Sequence, residues 1–346
     1  MILVTGATGT VGREVARQLA ADHAVRLMSR SPARPAVSGP RVETAVADFT
    51  RPGSLARALS GVRAAFLVTS HPVEPHDERF LEAAAAAGVG HVVKLSAAVV
   101  EDDTDDFLTL RQRAMEDEVR SCGLAWTLLR PRAFMSNTLS WAGCIERDGT
   151  VGALYGTTCN APVDPRDVAR VAVRALTERG HTGRTYTLVG PERLSAREQA
   201  HILGDVLGRP LRFTEWTVQE ARERWAHRYP PPVVEALLTR AALQAGGGKT
   251  LRGDALAPLT GRAAGTFRGW AHDHAHCFPC GPAARRPGGG TRSPGPAPPC
   301  GGRSPVLRTH RYVSAGRTER RRTLRCDAGR RSGITSGGPA APGGRW

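Results

Sequence analysis

The chain has 346 residues and a net charge of +16 at neutral pH, with 48 basic against 32 acidic side chains and only two lysines, Lys94 and Lys249. That length buries one large core or two smaller ones. No apolar run reaches the ~18 to 20 residues of a membrane helix, because even residues 81–93 are broken by Glu82, Gly88, Gly90 and His91, so no membrane partner is expected.

Residues 2–5 predict a strand and residues 11–20 a helix, with Gly6-Ala7-Thr8-Gly9-Thr10-Val11-Gly12 between them. Gly6 permits a tight turn, Gly9 lets the backbone approach a pyrophosphate without a Cβ in the way, and Gly12 lets the helix pack closely on the sheet. The phosphates of a dinucleotide would sit on unpaired N–H groups at the helix N-terminus, where the peptide dipoles favour negative charge. Gly6, Thr8, Gly9, Thr10, Val11 and Gly12 are therefore candidate cofactor-binding residues. Their spacing is G-x-x-G-x-x-G, not the commoner G-x-G-x-x-G.

Strands follow over residues 24–29, 42–47, 64–69, 91–95 and 125–129, alternating with helices over 52–59, 77–87 and 107–121. That rhythm predicts a doubly wound, Rossmann-type α/β fold, a parallel sheet with helices on both faces and ligands at the carboxyl ends of its strands. Later come a helix over 165–176, a strand over 185–189 and a helix over 195–207, the last opened by Ser195 with Glu198 three residues on, a capping-box pattern. Further helices are predicted over 217–227 and 231–245. We expect a nucleotide-binding domain over residues 1–150 and a smaller substrate lobe over 151–278 interleaved with it.

Residues 279–346 differ in texture. Fourteen arginines against Glu319 and Asp327 give this segment +12 and leave +4 for the rest. Dense in Pro, Gly and Arg, it has too little apolar area to offset chain entropy, which predicts a disordered tail. It carries no nucleic-acid motif and few aromatics for stacking, so no specific nucleic-acid partner is expected, and it reads as an unselected extension, such as a shifted frame in GC-rich DNA. Seven cysteines in no regular framework, and a start at Met1-Ile2-Leu3 that opens a strand, point to a reducing cytoplasm. His272, His274, His276, Cys277 and Cys280 do not complete a four-ligand set in folded sequence, so no metal is expected. Glu101, Asp102, Asp103, Asp105 and Asp106 read as a solvated loop with acids near a helix N-terminus.

Taken in order, Leu3-Val4-Thr5-Gly6-Ala7-Thr8-Gly9, Val46-Ala47-Asp48-Phe49, Gly123 to Pro131 running into Phe134-Met135-Ser136-Asn137, Val163-Asp164-Pro165-Arg166-Asp167, Tyr186 to Glu192, and Leu259-Thr260-Gly261-Arg262 with Thr266, Phe267 and Trp270 resemble one family. It is the NmrA-like branch of atypical short-chain dehydrogenase/reductases, which includes bacterial NAD(P)H-dependent quinone and azo-dye reductase-like proteins; the likeness covers residues 1–278. The resemblance implies that Arg30, where an NAD-selective site places a carboxylate, grips a 2′-phosphate and favours NADP(H) over NAD(H). It implies that Asp48 and Phe49 meet the adenine, although Asp48 equally suits a turn. Thr69, Ser70 and Ser96 would line the riboses, and Pro131 and Phe134 the nicotinamide pocket.

Most short-chain dehydrogenases use a tyrosine acid with a lysine four residues later, because hydride transfer to a carbonyl leaves an alkoxide that must be protonated. Here Tyr155, Tyr186, Tyr229 and Tyr312 are followed at that spacing by Cys159, Gly190, Val233 and Gly316. The chain is therefore expected to reduce a planar acceptor, quinone-like or azo, whose product anion is delocalised, with protons from water or a modest donor such as Ser96. A non-catalytic cofactor sensor of the NmrA type is the alternative. The oligomeric state stays open.

Overall fold

Short aliphatic runs separated by amphipathic helices fold as the sequence rhythm requires. The computed structural model describes residues 1–31, 37–69, 74–247, 253 and 256–278. The expected tail at 279–346, and the candidate Ser70, lie outside the described residues. Strands are β1 (Ile2–Val4), β2 (Val25–Ser29), β3 (Val42–Val46), β4 (Ala64–Leu67), β5 (His91–Leu95), β6 (Ala125–Pro131), β7 (Thr150–Leu154), β8 (Cys159–Asn160), β9 (Arg184–Leu188), β10 (Leu194–Ser195) and β11 (Arg212–Trp216). Helices are α1 (Thr10–Leu19), α2 (Pro52–Leu59), α3 (His76–Ala86), α4 (Phe107–Ser121), α5 (Ala142–Asp148), α6 (Pro165–Thr177), α7 (Ala196–Val206), α8 (Val218–Ala226), α9 (Pro231–Ala245), α10 (Leu256–Thr260) and α11 (Phe267–Asp273).

Seven strands form one sheet in the order β3-β2-β1-β4-β5-β6-β9, and every pairing in it is parallel. The period of two along each strand sends alternate residues to opposite faces. Ile2, Val4, Phe66, Val93 and Leu129 pack with Val15 and Leu19 of α1 and with Val168, Val171 and Ala172 of α6. Leu3, Ala65, Leu67, Val92 and Leu128 pack on the other face with Leu55 and Leu59 of α2, Phe80 of α3 and Val119 of α4. Two apolar faces, each burying side chains worth ~1.5 to 3 kcal/mol apiece, make the doubly wound arrangement the stable one. The strand order reverses between β1 and β4, and such a switch point opens a crevice at the strands' carboxyl ends.

Helix ends follow the capping rules. Asp106 accepts from the N–H groups of Leu108 and Thr109 at the start of α4, and Ser195 with Glu198 and Thr217 with Glu220 form reciprocal capping boxes at α7 and α8. The last strand of the large sheet, β9, and helix α6 both come from residues beyond 150. A separate apolar cluster gathers Met135, Ile145, Val151, Leu203, Phe267 and Trp270. Outside the large sheet, β11 pairs in parallel with β7 and β10 pairs antiparallel with β8. No helix among the described residues is long and apolar enough to cross a membrane.

Candidate active site

The turn after β1 is built around close approaches that only glycine allows. Gly6 has φ +60°, in the left-handed region, and a Cβ there would lie 3.1 Å from Cβ of Val68. The N–H of Gly9 donates to Gly6 O at 2.8 Å, closing the turn. A Cβ on Gly12 would stand 2.3 Å from Gly6 O, so a side chain there would push α1 off the turn. Thr5 ties the turn to the next strand, its hydroxyl donating to Val68 O at 3.1 Å and accepting from Val68 N–H at 2.7 Å.

The helix that follows carries no acidic residue in its first turn and no side-chain cap, so its N-terminal N–H groups and dipole remain available to an anion. Oγ1 of Thr10 is buried there with no hydrogen-bond partner among the described residues. A buried polar atom without a partner next to bare amides, over a cradle that a Cβ would fill, is a geometry that fits a diphosphate.

The other candidates fall in a row because parallel strands present their carboxyl ends on one edge. In sheet order, Asp48 and Phe49 follow β3, Arg30 follows β2, the glycine turn follows β1, Thr69 follows β4, Ser96 follows β5, and Pro131 closes β6 with Phe134 just beyond. Arg30 is exposed and close enough to Asp48 for its charge to act on that carboxyl. Burial raises the Asp48 pKa, but the Thr50 hydroxyl and N–H, Arg30 and Arg51 together hold it below the usual carboxylate range. Its Oδ1 accepts from Thr50 N–H at 2.8 Å and from Thr50 Oγ1 at 2.7 Å, the turn role its sequence setting also suggests. Phe49 stacks on His76 with ring centroids 5.0 Å apart. Thr69 accepts from Nζ of Lys94 at 2.8 Å, and the same ammonium lies 2.9 Å from Oδ2 of Asp77, with both charged side chains buried. Phe134 bridges to Val163, and Met135 N–H donates to Val163 O at 3.0 Å, which pins the loop after β6.

Ser96 donates to Oε1 of Glu116 at 2.6 Å, so its hydroxyl hydrogen is committed to a carboxylate. Glu116 has 1% of its side chain exposed and also accepts from Arg130 and Arg120. Desolvation pushes its pKa up, but the hydrogen bonds from Arg130, Ser96 and Arg120 and the charge of Arg130 outweigh it and keep the carboxyl ionised below the ordinary range.

A family model described as NAD(P)H-binding matches residues 6–179, which spans the glycine turn, the six consecutive strand ends and α6. The chain belongs to this NAD(P)H-binding family. It is 54% identical over 279 residues, 80% of the chain and 99% of the relative, to the (4-alkanoyl-5-oxo-2,5-dihydrofuran-3-yl)methyl phosphate reductase of Streptomyces griseus. It is 33% identical over 285 residues, 80% of the chain and 99% of the relative, to an NAD(P)H azoreductase of Xenophilus azovorans. In fold it resembles an NADPH-dependent quinone oxidoreductase of Escherichia coli, with a TM-score of 0.66 and 24% identity over 81% of this chain and all of that one.

Two groups in this NAD(P)H-binding protein escape a reading of the sequence. Glu116 and Arg130 look like ordinary surface charges on a helix and a strand, and only the packing of α4 on the sheet buries Glu116 and pairs it with the half-buried Arg130. Asp102 departs from the expected solvated loop. It is buried and ion-paired with Arg132, directly after Pro131, while Arg240 reaches in from α9 to within 3.5 Å of Asp102 Oδ2. Such pairings join residues far apart in the chain, so no local pattern announces them. An open groove of about 800 Å³ along α7, lined by Arg197, His201, Arg209 and Phe213, contains none of the row's residues.

Proposed function

We propose that this NAD(P)H-dependent oxidoreductase uses NADPH to reduce the ring double bond of a (4-alkanoyl-5-oxo-2,5-dihydrofuran-3-yl)methyl phosphate. The observation that carries the reading is the 54% identity over 99% of the Streptomyces griseus reductase. When bound, the dinucleotide supplies a hydride from C4 of its nicotinamide to ring carbon 3 of the acceptor. That carbon is β to both the lactone and the acyl carbonyl, so the displaced electron pair spreads over two oxygens as an enolate and carbon 4 takes a proton from water.

The chain's own residues suit this division of labour. The bare N-terminus of α1 and Thr10 hold the diphosphate, and Arg30 holds the 2′-phosphate. Pro131 and Phe134 offer a flat wall for the acceptor ring. A delocalised enolate makes little demand on a dedicated acid, which agrees with a sequence without a Tyr-x-x-x-Lys pattern and with a Ser96 hydroxyl that donates to Glu116. Quinones and azo compounds share that electronic character and are expected as poorer acceptors.

The test follows NADPH absorbance with the furanone phosphate, menadione and an azo dye as acceptors. We expect the furanone phosphate to exceed the other two in kcat/KM by about tenfold or more, a difference of about 1.4 kcal/mol in transition-state binding. Tight NADPH binding without acceptor-dependent oxidation across the whole panel would replace this reading with the non-catalytic sensor.

A further inference from the structure

Arg130 and Arg132 leave β6 only two residues apart, yet their hydrogen bonding is opposite in character. Arg130 is saturated, with Nε and Nη2 on Glu116 and Nη1 on Glu101. Arg132, with 2% of its side chain exposed, spends Nη1 on Asp102, while its Nε and Nη2 have no hydrogen-bond partner among the described residues, Nη2 lying 3.7 Å from Oε2 of Glu101. Arg240, on the buried side of α9 with 6% of its side chain exposed, is served no better. Its Nη1 has no hydrogen-bond partner among the described residues, its Nη2 donates to Thr109 Oγ1 at 3.4 Å and lies 3.5 Å from Asp102 Oδ2, and its Nε lies 3.6 Å from Asp106 Oδ2.

Of the neighbouring carboxylates, Asp102 has Oδ1 on Arg132, while its Oδ2 has no hydrogen-bond partner among the described residues and lies 3.5 Å from Arg240 Nη2. Asp106 accepts from the N–H groups of Leu108 and Thr109 and from the hydroxyls of Thr104 and Thr109. Burial lowers the Arg240 pKa and the nearby charge of Arg132 adds to this, opposed by Asp106 and Asp102. Two buried guanidinium groups beside each other with idle N–H donors are costly to keep unless something accepts from them. Arg132 directly follows Pro131 at the carboxyl end of β6, and Arg240 reaches the same carboxylate, Asp102, from α9. A phosphoryl group, with three oxygens around one centre, matches donors arriving from two planar guanidinium groups better than a carboxylate does.

We propose that Arg132 and Arg240 form the receptor for a phosphomonoester on the acceptor, orienting its ring against Pro131 and Phe134. The inference rests on the reading that the acceptor is a phosphate ester.

Two arms test it, and the first needs no turnover. With NADPH saturating, so that the cofactor's own phosphate sites are filled, inorganic phosphate raises the melting temperature of the full chain above that in chloride of equal ionic strength. Arg240→Met abolishes that rise and Arg240→Lys, which keeps the charge and loses the fork, reduces it. In the second arm, the wild type prefers the phosphorylated furanone over its hydroxymethyl counterpart in kcat/KM, and Arg240→Met shrinks that preference about tenfold or more. If phosphate shifts the melting of wild type and Arg240→Met equally or not at all, or the wild type treats the two furanones alike, the arginine pair is structural and the proposal fails. If the wild type turns over neither furanone but Arg240→Met still abolishes the phosphate-dependent rise, the anion receptor stands and the identity of the acceptor falls.

Discussion

Gly12 has no room for a methyl group, because a Cβ there would meet the carbonyl oxygen of Gly6 at 2.3 Å. Gly12→Ala is therefore expected to shift α1 away from the turn, at a cost of about 1 to 3 kcal/mol typical of overpacking, and to weaken NADPH binding with it; a melting curve and a calorimetric titration check both. Arg30 carries a different prediction. Arg30→Gln should weaken NADPH about tenfold to a hundredfold, the scale of a charged hydrogen bond, while leaving NADH within error. Equal losses for both cofactors would remove Arg30 from the 2′-phosphate site. At this scale the sequence was informative where chemistry is local. Three glycines within seven residues announce a turn, whereas the partner that captures the Ser96 proton lies twenty residues away on α4. A hydroxyl's availability depends on its neighbours in space, and Arg132 with Arg240 shows the same limit.

Elements bring those neighbours together. α4 lays Glu116 beneath β5 and β6, and Arg130, Arg120 and Ser96 converge on it. Removing one member of such a buried cluster leaves the others uncompensated, so Glu116→Gln is expected to cost about 3 to 5 kcal/mol in a denaturant titration. Because the folded state holds the Glu116 pKa below its ordinary value, its contribution is complete above the unfolded pKa of about 4.3. It is lost as pH falls through the lower, folded value. Stability measured against pH should drop more steeply in acid for the wild type than for Glu116→Gln, and parallel curves would contradict this. Helix α4 and strand β5 stand with the bounds that periodicity predicts, as do α2 and α9. The short strands β7, β8, β10 and β11 were illegible for a physical reason. They lack the apolar runs that mark β1, β4 and β5, and each is defined by a partner remote in the chain.

For the whole molecule, the fold class followed from the alternation of strand and helix, and the order of the seven strands then collected distant candidates along one edge. The setting of Arg240 did not follow, since α9 reads as an amphipathic helix until the approach of Arg240 to Asp102 is known. The Streptomyces griseus relative is matched over 99% of its length within 279 residues of this chain. We therefore expect residues 1–278 alone to melt and to bind NADPH as the full chain does; loss of either on removing residues 279–346 would give that segment a role. The most direct measurement of the central claim uses NADPH deuterated at C4 of the nicotinamide and the furanone phosphate as acceptor, with the product read by NMR. The account predicts deuterium at ring carbon 3 and a solvent-derived proton at carbon 4. Deuterium on a carbinol carbon from a reduced carbonyl, or no deuterium in any product, would contradict it.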